Sequence, residues 1–320
     1  MYAHIIVDGR LERTDSCAVI REAHAAGRTL WVELGEQTRE AELLLTETFQ
    51  VHPLVVEDIF RDRSVPKIDE LEGYLYVVVH ALRQVEDPTL ANLSDLDLVI
   101  GPTFILTQHR DGPATERLRA RVEASPHLLQ QGVAWVAHAF IDMVVDRFLP
   151  FMEKLKTRVD DVEMRVMSAS SDESDLLPEL VVLKRSIQAV WRISHHQLEI
   201  LQQLSRKEYP QIPRAARIYF RDVYDHFVHV AEEADTYKDI AASAVEAYLN
   251  VQSYRMNDTV KRLTLISTVM LPLNLIAGFY GMNFSSLPGL QWRWGFVCVL
   301  AIMVSVTAAI WTYFKYRRWA

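Results

Sequence analysis

The chain has 320 residues, half of them hydrophobic, and a formal net charge of −8 at pH 7. This length suffices for two or three domains, and the acidic balance argues against nucleic acid as a partner. The two cysteines, Cys17 and Cys298, predict neither a disulfide framework nor a cysteine metal site. Because the sequence also lacks a nucleophile motif and a phosphate-binding loop, we do not expect an enzyme or a resident cofactor.

Residues 1–127 alternate short strand and helix patterns, which predicts a cytoplasmic α+β domain with a mixed sheet. The predicted strands are 3–7, 29–34, 74–82, 96–100 and 104–108. Helical stretches are predicted between these strands, for example at 38–49.

Residues 128–259 are helical in pattern and form a predicted stalk region. One helix is predicted over 128–166, a turn over 168–175 and a second helix over 176–206. From Arg214 no proline or glycine occurs before Pro272, so one helix of about 90 Å is expected at ~1.5 Å per residue. No small domain buries such a rod, and we therefore expect it to pack against copies of itself.

Residues 260–320 are predicted to form a transmembrane domain. The runs 263–279 and 295–314 carry no charge, and each is about long enough to cross ~30 Å of hydrocarbon as a helix. Basic residues lie at the outer flanks of the two runs: Lys261, Arg262, Lys315, Arg317 and Arg318. The connecting loop has only Arg293, so the loop is predicted to be external and both termini cytoplasmic.

Polar and small residues recur at steps of three and four along the first run, which places them on one helical face. The face mixes amides, a hydroxyl and aliphatic side chains: Asn257, Val260, Leu263 (or Thr264), Ser267, Leu271, Asn274 and Gly278. Polar groups at membrane depth must contact protein or water. Such a face is therefore explained either by a contact stripe between helices or by the wall of a pore.

A second polar face lies at the start of the long helix. Asp222, Asp225, His226 and His229 are spaced at i, i+3, i+4 and i+7. A solvated helix face is the ordinary explanation. A metal site is the alternative, and its imidazoles suit Zn²⁺, Co²⁺ or Ni²⁺ better than Mg²⁺.

The sequence Tyr280-Gly281-Met282-Asn283 joins the two apolar runs and resembles the Gly-Met-Asn signature of the CorA family of magnesium channels. Further resemblances lie along the chain: His52-Pro53-Leu54 with Glu57-Asp58, residues 219–226, residues 270–273 and 276–278, and Tyr313-Phe314-Lys315 with Trp319. The resemblance is weak before residue 50 and strong after residue 215.

The resemblance implies a passive Mg²⁺ channel in the inner (plasma) membrane, built as a cyclic homo-oligomer and specifically a pentamer. It makes Asn283 the selectivity ring, with Tyr280, Gly281 and Met282 shaping it, and it makes the polar face of the first run the pore lining. Neutral amide oxygens can hydrogen-bond the water shell that Mg²⁺ gives up reluctantly. An Asn that merely caps a helix end is the alternative for Asn283.

The same resemblance implies regulation by cytoplasmic Mg²⁺. Asp222 matches the stalk aspartate that shares a divalent cation with an acid of a neighbouring domain, and Glu86 and Asp87 are the candidates for that acid. Asp225 and His226 are further candidate ligands.

One departure from the family and two rival functions stay open. The external stretch 284–290 has no carboxylate, whereas many CorA loops are acidic, so the acidic ring that would attract cations to the pore entrance is missing. A ZntB-like zinc transporter has the same fold, and a membrane-anchored regulatory protein without conduction would have a buried, dry first-run face.

Overall fold

The structure is a computed structural model that describes residues 1–61, 65–82, 93–109, 112–168, 176–282 and 294–317. These residues form two compact units, Met1–Val245 and Glu246–Ala320. The division predicted at residues 127 and 259 is finer than this separation and stays a prediction.

Seven strands form one sheet: β1 (Tyr2–Val7), β2 (Arg10–Thr14), β3 (Leu30–Glu33), β4 (Lys67–Leu71), β5 (Tyr74–Leu82), β6 (Leu93–Ile100) and β7 (Phe104–His109). The helices are α1 (Cys17–Ala25), α2 (Arg39–Leu43) with a π-helical continuation (Leu44–Thr48), α3 (Pro53–Phe60), α4 (Gly112–Ala124), α5 (His127–Gln131), α6 (Val133–Ser168), α7 (Leu176–Arg206), α8 (Arg214–Tyr280) and α9 (Gly295–Tyr316).

The strand order is β2-β1-β3-β7-β6-β5-β4. Every described pair is antiparallel except β3 with β7, where Leu30 lies opposite Phe104 and Glu33 opposite Thr107. The predicted α+β fold with a mixed sheet, a long helix and a C-terminal apolar helix is confirmed. The cyclic oligomer stays a prediction.

Strand β5 lies at the centre of the soluble core, and all nine of its residues are buried. Such a strand reads as a continuous apolar run because both faces of the sheet are covered. Helices α6 and α7 both pack on β5, and a cluster that includes Ile20, Leu45 and Ile59 lies against Tyr76 and Val78.

The His52-Pro53-Leu54 stretch has a structural role in this core. The Leu54 amide donates to Nδ1 of His52 at 3.2 Å, which caps the start of α3, and Pro53 occupies its first turn. The His52 amide donates to the Tyr74 hydroxyl at 3.0 Å and so ties α3 to β5.

Several short elements have no counterpart with stated bounds among the predicted ones, namely β2, β4, α1, α3 and α4. The helix predicted over 128–166 is also interrupted. Helix α5 ends at Gln131, the next residue, Gly132, has a φ of 124° that is incompatible with a continuing helix, and α6 starts at Val133. Pro150 lies inside α6, as expected. Apart from Ser168, the predicted turn over 168–175 lies outside the described residues.

Helix α8 changes character along its length. Its buried residues recur every three or four positions from Ala216 through Phe220, Phe227 and Ala234 to Ala244. Beyond Ala244 no described residue of this helix is buried. The end of the buried stripe coincides with the boundary between the two units.

Candidate functional site

The predicted membrane runs lie on α8 and α9, which are long and apolar enough to span a bilayer by length and composition. One side of α8 is partly covered, at positions that recur every three or four residues: Leu265, Val269, Pro272, Leu273, Ile276 and Tyr280. On α9 the covered positions are Val299, Met303, Val306, Thr307, Ile310 and Phe314. The two helices therefore pack along these faces.

The predicted pore residues lie on the opposite side of α8. Asn257, Val260, Leu263, Ser267, Leu271, Asn274 and Gly278 are all exposed. At about 100° per residue this face is centred ~180° away from the side that packs on α9. Leu271 is 76% exposed, and among the described residues neither Asn257 nor Asn274 makes a side-chain hydrogen bond. This arrangement leaves the polar face free for water or for other copies of the chain.

Two threonines and a proline modify the backbone beside this face. The hydroxyl of Thr264 donates to the Val260 carbonyl at 2.8 Å, and that of Thr268 to the Thr264 carbonyl at 2.7 Å. Pro272 lies inside α8 and has no N–H group, so the Thr268 carbonyl lacks its usual helical donor.

The end of α8 explains the glycine of the signature. The Gly281 amide donates to the Ala277 carbonyl at 2.8 Å, and a Cβ added at Gly281 would lie 3.0 Å from that oxygen. A side chain at this position would crowd that carbonyl, so the close backbone approach favours glycine. Tyr280 is partly covered and Met282 is 48% exposed. Asn283 lies outside the described residues, and its selectivity role stays a prediction.

The predicted regulatory residues lie on an exposed face of α8. Asp222, Asp225, His226 and His229 are all exposed. Arg221 Nε is 3.9 Å from Asp225 Oδ2, and His229 Nδ1 is 3.7 Å from Glu232 Oε2. The candidate partner acids Glu86 and Asp87 lie outside the described residues.

Helix α6 runs beside this part of α8 in the same direction. The His138 ring lies 5.6 Å from the Phe220 ring, and the Phe148 ring lies 5.1 Å from that of Phe227. The contact brings the carboxylates of Asp142 and Asp146, both on α6, towards the α8 face.

Electrostatics connect the two helices. Burial raises the pKa of Asp146, and the neighbouring Asp142 raises it further, while His226 acts to lower it. Burial lowers the pKa of His138, against the opposing effect of Asp142 and Asp222. Sequence reasoning missed Asp142 and Asp146 because a single helix pattern does not show which face of a second helix it meets.

The acidic face does not form a metal site from one chain. Among the residues that the structure describes, no three His, Cys, Asp or Glu side chains are arranged to hold a metal ion. Arg121 Nη1 lies 3.8 Å from Asp142 Oδ2 and offsets part of the negative charge.

Comparison with known proteins extends over nearly the whole chain. Residues 26–317 match the family model described as CorA-like Mg²⁺ transporter protein. The chain is 31% identical over 280 residues to the cobalt/magnesium transport protein CorA of Thermotoga maritima, covering 85% of this chain and 78% of the relative. It is 29% identical over 295 residues to a putative metal ion transporter, YfjQ, of Bacillus subtilis, covering 90% and 89% of the two chains.

The fold likeness is equally complete. The complete structure of the CorA magnesium transporter from Methanocaldococcus jannaschii matches with a TM-score of 0.82 at 19% identity. The match covers 100% of this chain and 99% of that structure.

Proposed function

The chain belongs to the family of CorA-like Mg²⁺ transporters, and from this premise we propose that it is a passive channel for Mg²⁺. It is a divalent-cation transporter rather than an enzyme. Flow through the proposed channel follows the ion gradient and the membrane potential, which contributes about 4.6 kcal/mol per 100 mV for a divalent ion. Co²⁺ and Ni²⁺ are further proposed substrates.

The observation that carries this proposal is the exposed polar face of α8. Asn257, Ser267 and Asn274 lie on the side opposite α9, together with Leu271 and Gly278. A polar group in hydrocarbon without a partner is costly, whereas the same group in a water-filled pore is solvated. The non-conducting alternative requires this face to be buried and dry.

Two membrane helices cannot enclose a pore, so the proposed channel is a ring of copies. The family resemblance favours five. Each copy contributes its polar face to the axis, and the apolar rings of Val260, Leu263 and Leu271 can block ions by dewetting when they come close. The chain crosses the plasma membrane twice, with both termini in the cytoplasm.

The proposed selectivity ring consists of Asn283 amides, one from each copy, at the external mouth. Amide oxygens hydrogen-bond the hydration shell of Mg²⁺ without replacing it. The close approach of Gly281 to the Ala277 carbonyl supports a role for Gly281 in shaping this end of the helix, with Tyr280 and Met282 beside it.

Cytoplasmic Mg²⁺ is the proposed regulator. A cation bound at Asp222, with Glu86 or Asp87 of an adjoining copy, offsets carboxylate repulsion between copies and so stabilises the closed ring. Asp225 and His226 adjoin this position on the same helix. Because α8 continues from Asp222 to the polar face, a change at one end of the helix is transmitted to the other.

Ion uptake into vesicles tests the proposal. The full-length protein is reconstituted, a potential is imposed, and Mg²⁺ entry is followed with an internal indicator dye. We expect uptake in the wild type and its loss in Asn274→Leu, with normal uptake in Ser305→Leu. Ser305 is an exposed polar residue of α9 whose hydroxyl donates to the Ala301 carbonyl, so it is a control for added bulk in the membrane.

The same vesicles distinguish the rival functions. Uptake of Zn²⁺ in preference to Mg²⁺ would support the ZntB-like alternative. Wild-type vesicles that admit no divalent cation would support the non-conducting alternative and overturn the proposed channel.

A further inference from the structure

A polar cleft lies between the end of α7 and the start of α8, within the N-terminal unit. It has a volume of about 290 Å³ and is lined by Ser205, Arg206, Arg221, Tyr224 and Asp225. Arg206, Arg221 and Asp225 are exposed, so the cleft opens to solvent, whereas Ser205 and Tyr224 are partly covered. This volume is small for an organic ligand and suits a compact ion.

We propose that this cleft binds a phosphate group, either as free inorganic phosphate or as the terminal group of a nucleotide. Both sources present the same tetrahedral oxyanion to the protein. The open side of the cleft leaves room for the remainder of a nucleotide. The proposal goes beyond the transport function proposed above and does not depend on it.

The side chains of the cleft supply the donors that phosphate oxygens accept. A guanidinium group binds phosphate through two parallel N–H donors, and the cleft has one from each helix, Arg206 of α7 and Arg221 of α8. Neither the Arg206 guanidinium nor the Tyr224 hydroxyl has a partner among the residues that the structure describes. The Ser205 hydroxyl donates to the Gln202 carbonyl at 2.9 Å and can rotate towards a ligand.

Positive charge accumulates around the cleft, although the whole chain has a net charge of −8. Residues 205–226 contain five basic and three acidic side chains. Arg217 lies one turn before Arg221, and its Nη1 donates to Glu208 Oε1 at 3.1 Å, while its Nε is buried without a hydrogen bond to any described residue. Because the Glu208 side chain is 85% exposed, solvent screens its charge. The remaining positive potential attracts an anion.

The one acid of the cleft is weakly held. Arg221 Nε lies 3.9 Å from Asp225 Oδ2, and both side chains are mostly exposed. An exposed pair at this separation contributes little to stability. A phosphate group, with more charge and a geometry that matches the guanidinium, can therefore replace Asp225 on Arg221.

Equilibrium dialysis of the full-length protein in detergent tests the cleft. Radiolabelled inorganic phosphate and radiolabelled ATP are the two probes, in a buffer with EDTA so that no divalent cation bridges the phosphate to a carboxylate. We expect saturable binding of one phosphate group per chain. Binding of ATP alone identifies a nucleotide, binding of phosphate alone identifies the free anion, and mutual competition identifies a site that accepts both. A wild-type protein that binds neither probe overturns the proposal.

Substitutions with opposite expected effects locate the bound anion. Arg206→Gln and Arg221→Gln should each weaken binding about tenfold or more, because each removes hydrogen bonds from a charged donor. Asp225→Asn should tighten binding about threefold, because it removes a competing negative charge. The matched control is Arg192→Gln, at an exposed arginine about four turns earlier on α7, and it should bind like the wild type.

The opposite signs also guard against misfolding, because a damaged fold would weaken binding in every variant. Wild-type affinity in both Arg206→Gln and Arg221→Gln, or equal weakening by Arg192→Gln, would place the anion elsewhere and overturn the proposal.

Mg²⁺ uptake by the wild type separates this proposal from the proposed function. Uptake by a protein that binds neither probe contradicts the phosphate site alone. Phosphate binding in the cleft of a protein that carries no cation contradicts the channel and leaves the phosphate site supported.

Discussion

The two halves of α8 differ in how far the rest of the chain covers them. In the N-terminal half, a stripe that includes Phe220, Val223 and Phe227 is buried by the same chain. In the membrane half, Leu271 and Asn274 are exposed, and the side facing α9 is only partly covered. One helix thus completes a core at its start and leaves one face exposed at its end. The difference separates residues that stabilise the fold from residues that we propose act in conduction.

The largest effect is expected from Phe227→Ala. Removing a fully buried aromatic residue costs about 3–5 kcal/mol in the free energy of unfolding, and Phe227 is 0% exposed and packs on Phe148. Chemical unfolding of the detergent-solubilised full chain, followed by circular dichroism, measures this. Leu271→Ala, in the other half of the helix, should leave the unfolding of the N-terminal unit unchanged. Equal destabilisation by both substitutions would contradict the conclusion that only the N-terminal half of α8 stabilises the fold.

A pH effect of a few kcal/mol is expected in the N-terminal unit, Met1–Val245. Burial raises the pKa of Asp97 to about 8, against the lowering effect of the Tyr76 hydroxyl, which donates to it at 2.7 Å. Because the folded chain holds the proton more tightly than the unfolded chain, stability is lost as pH rises from about 4 to about 8.

Asp97→Asn should remove most of this loss, since the amide oxygen still accepts from Tyr76. Melting temperatures at pH 5 and pH 8 provide the measurement, with the exposed Glu12→Gln as control. A variant whose stability falls with pH as steeply as that of the wild type would show that Asp97 is not the responsible group.

A loss of Mg²⁺ uptake of about tenfold or more is expected for Asn283→Ala, because every copy loses a hydrogen bond to the ion's water shell and each such bond contributes about 0.5–1.5 kcal/mol. Assembly of the variant and unfolding of its N-terminal unit should stay normal, so the effect is expected to be confined to the membrane unit. Dye-monitored uptake and native mass measurement test both statements. Wild-type uptake by the assembled variant would remove Asn283 from the proposed selectivity ring.

The smallest effect is expected for Asp222→Ala. This substitution lies in the N-terminal half of α8, and its expected effect is on conduction, which we assign to the membrane half. Inhibition by internal Mg²⁺ should shift to about fivefold higher concentration or more, a usual size for coupling between sites, while maximal current remains. Current recorded against internal Mg²⁺ gives the shift, and Asp239→Ala, at another exposed acid of α8, serves as control. Superimposable curves for wild type and Asp222→Ala would exclude Asp222 as a necessary sensor.

Long-range patterns in the sequence predicted the large elements of this fold. The uninterrupted stretch after Arg214 predicted α8, and the uncharged runs predicted its last part and α9. Short elements were missed because their sequence patterns are weak. Strand β2, with the sequence RLERT, lies at the edge of the sheet, where a strand need not show alternating apolar and polar residues. Gly132 interrupts a helix that composition alone would continue.

The candidate site was predictable to a similar degree. Helical spacing placed Asn274 and Ser267 on one face, and the structure leaves that face exposed. Asp142 and Asp146 escaped because their relevance depends on how α6 packs against α8. Glu86, Asp87 and Asn283 stay predictions from the resemblance.

The parallel pairing of β3 with β7 has a consequence for folding during synthesis of the chain. Strands β1 and β2 join the sheet through β3, and β3 joins it through β7, so Leu30 must wait for Phe104 to be synthesised. Pairings between distant segments form slowly because loop closure precedes their gain. The first 33 residues therefore leave the ribosome without their final neighbour, and a nascent chain halted before residue 104 should expose them to a protease.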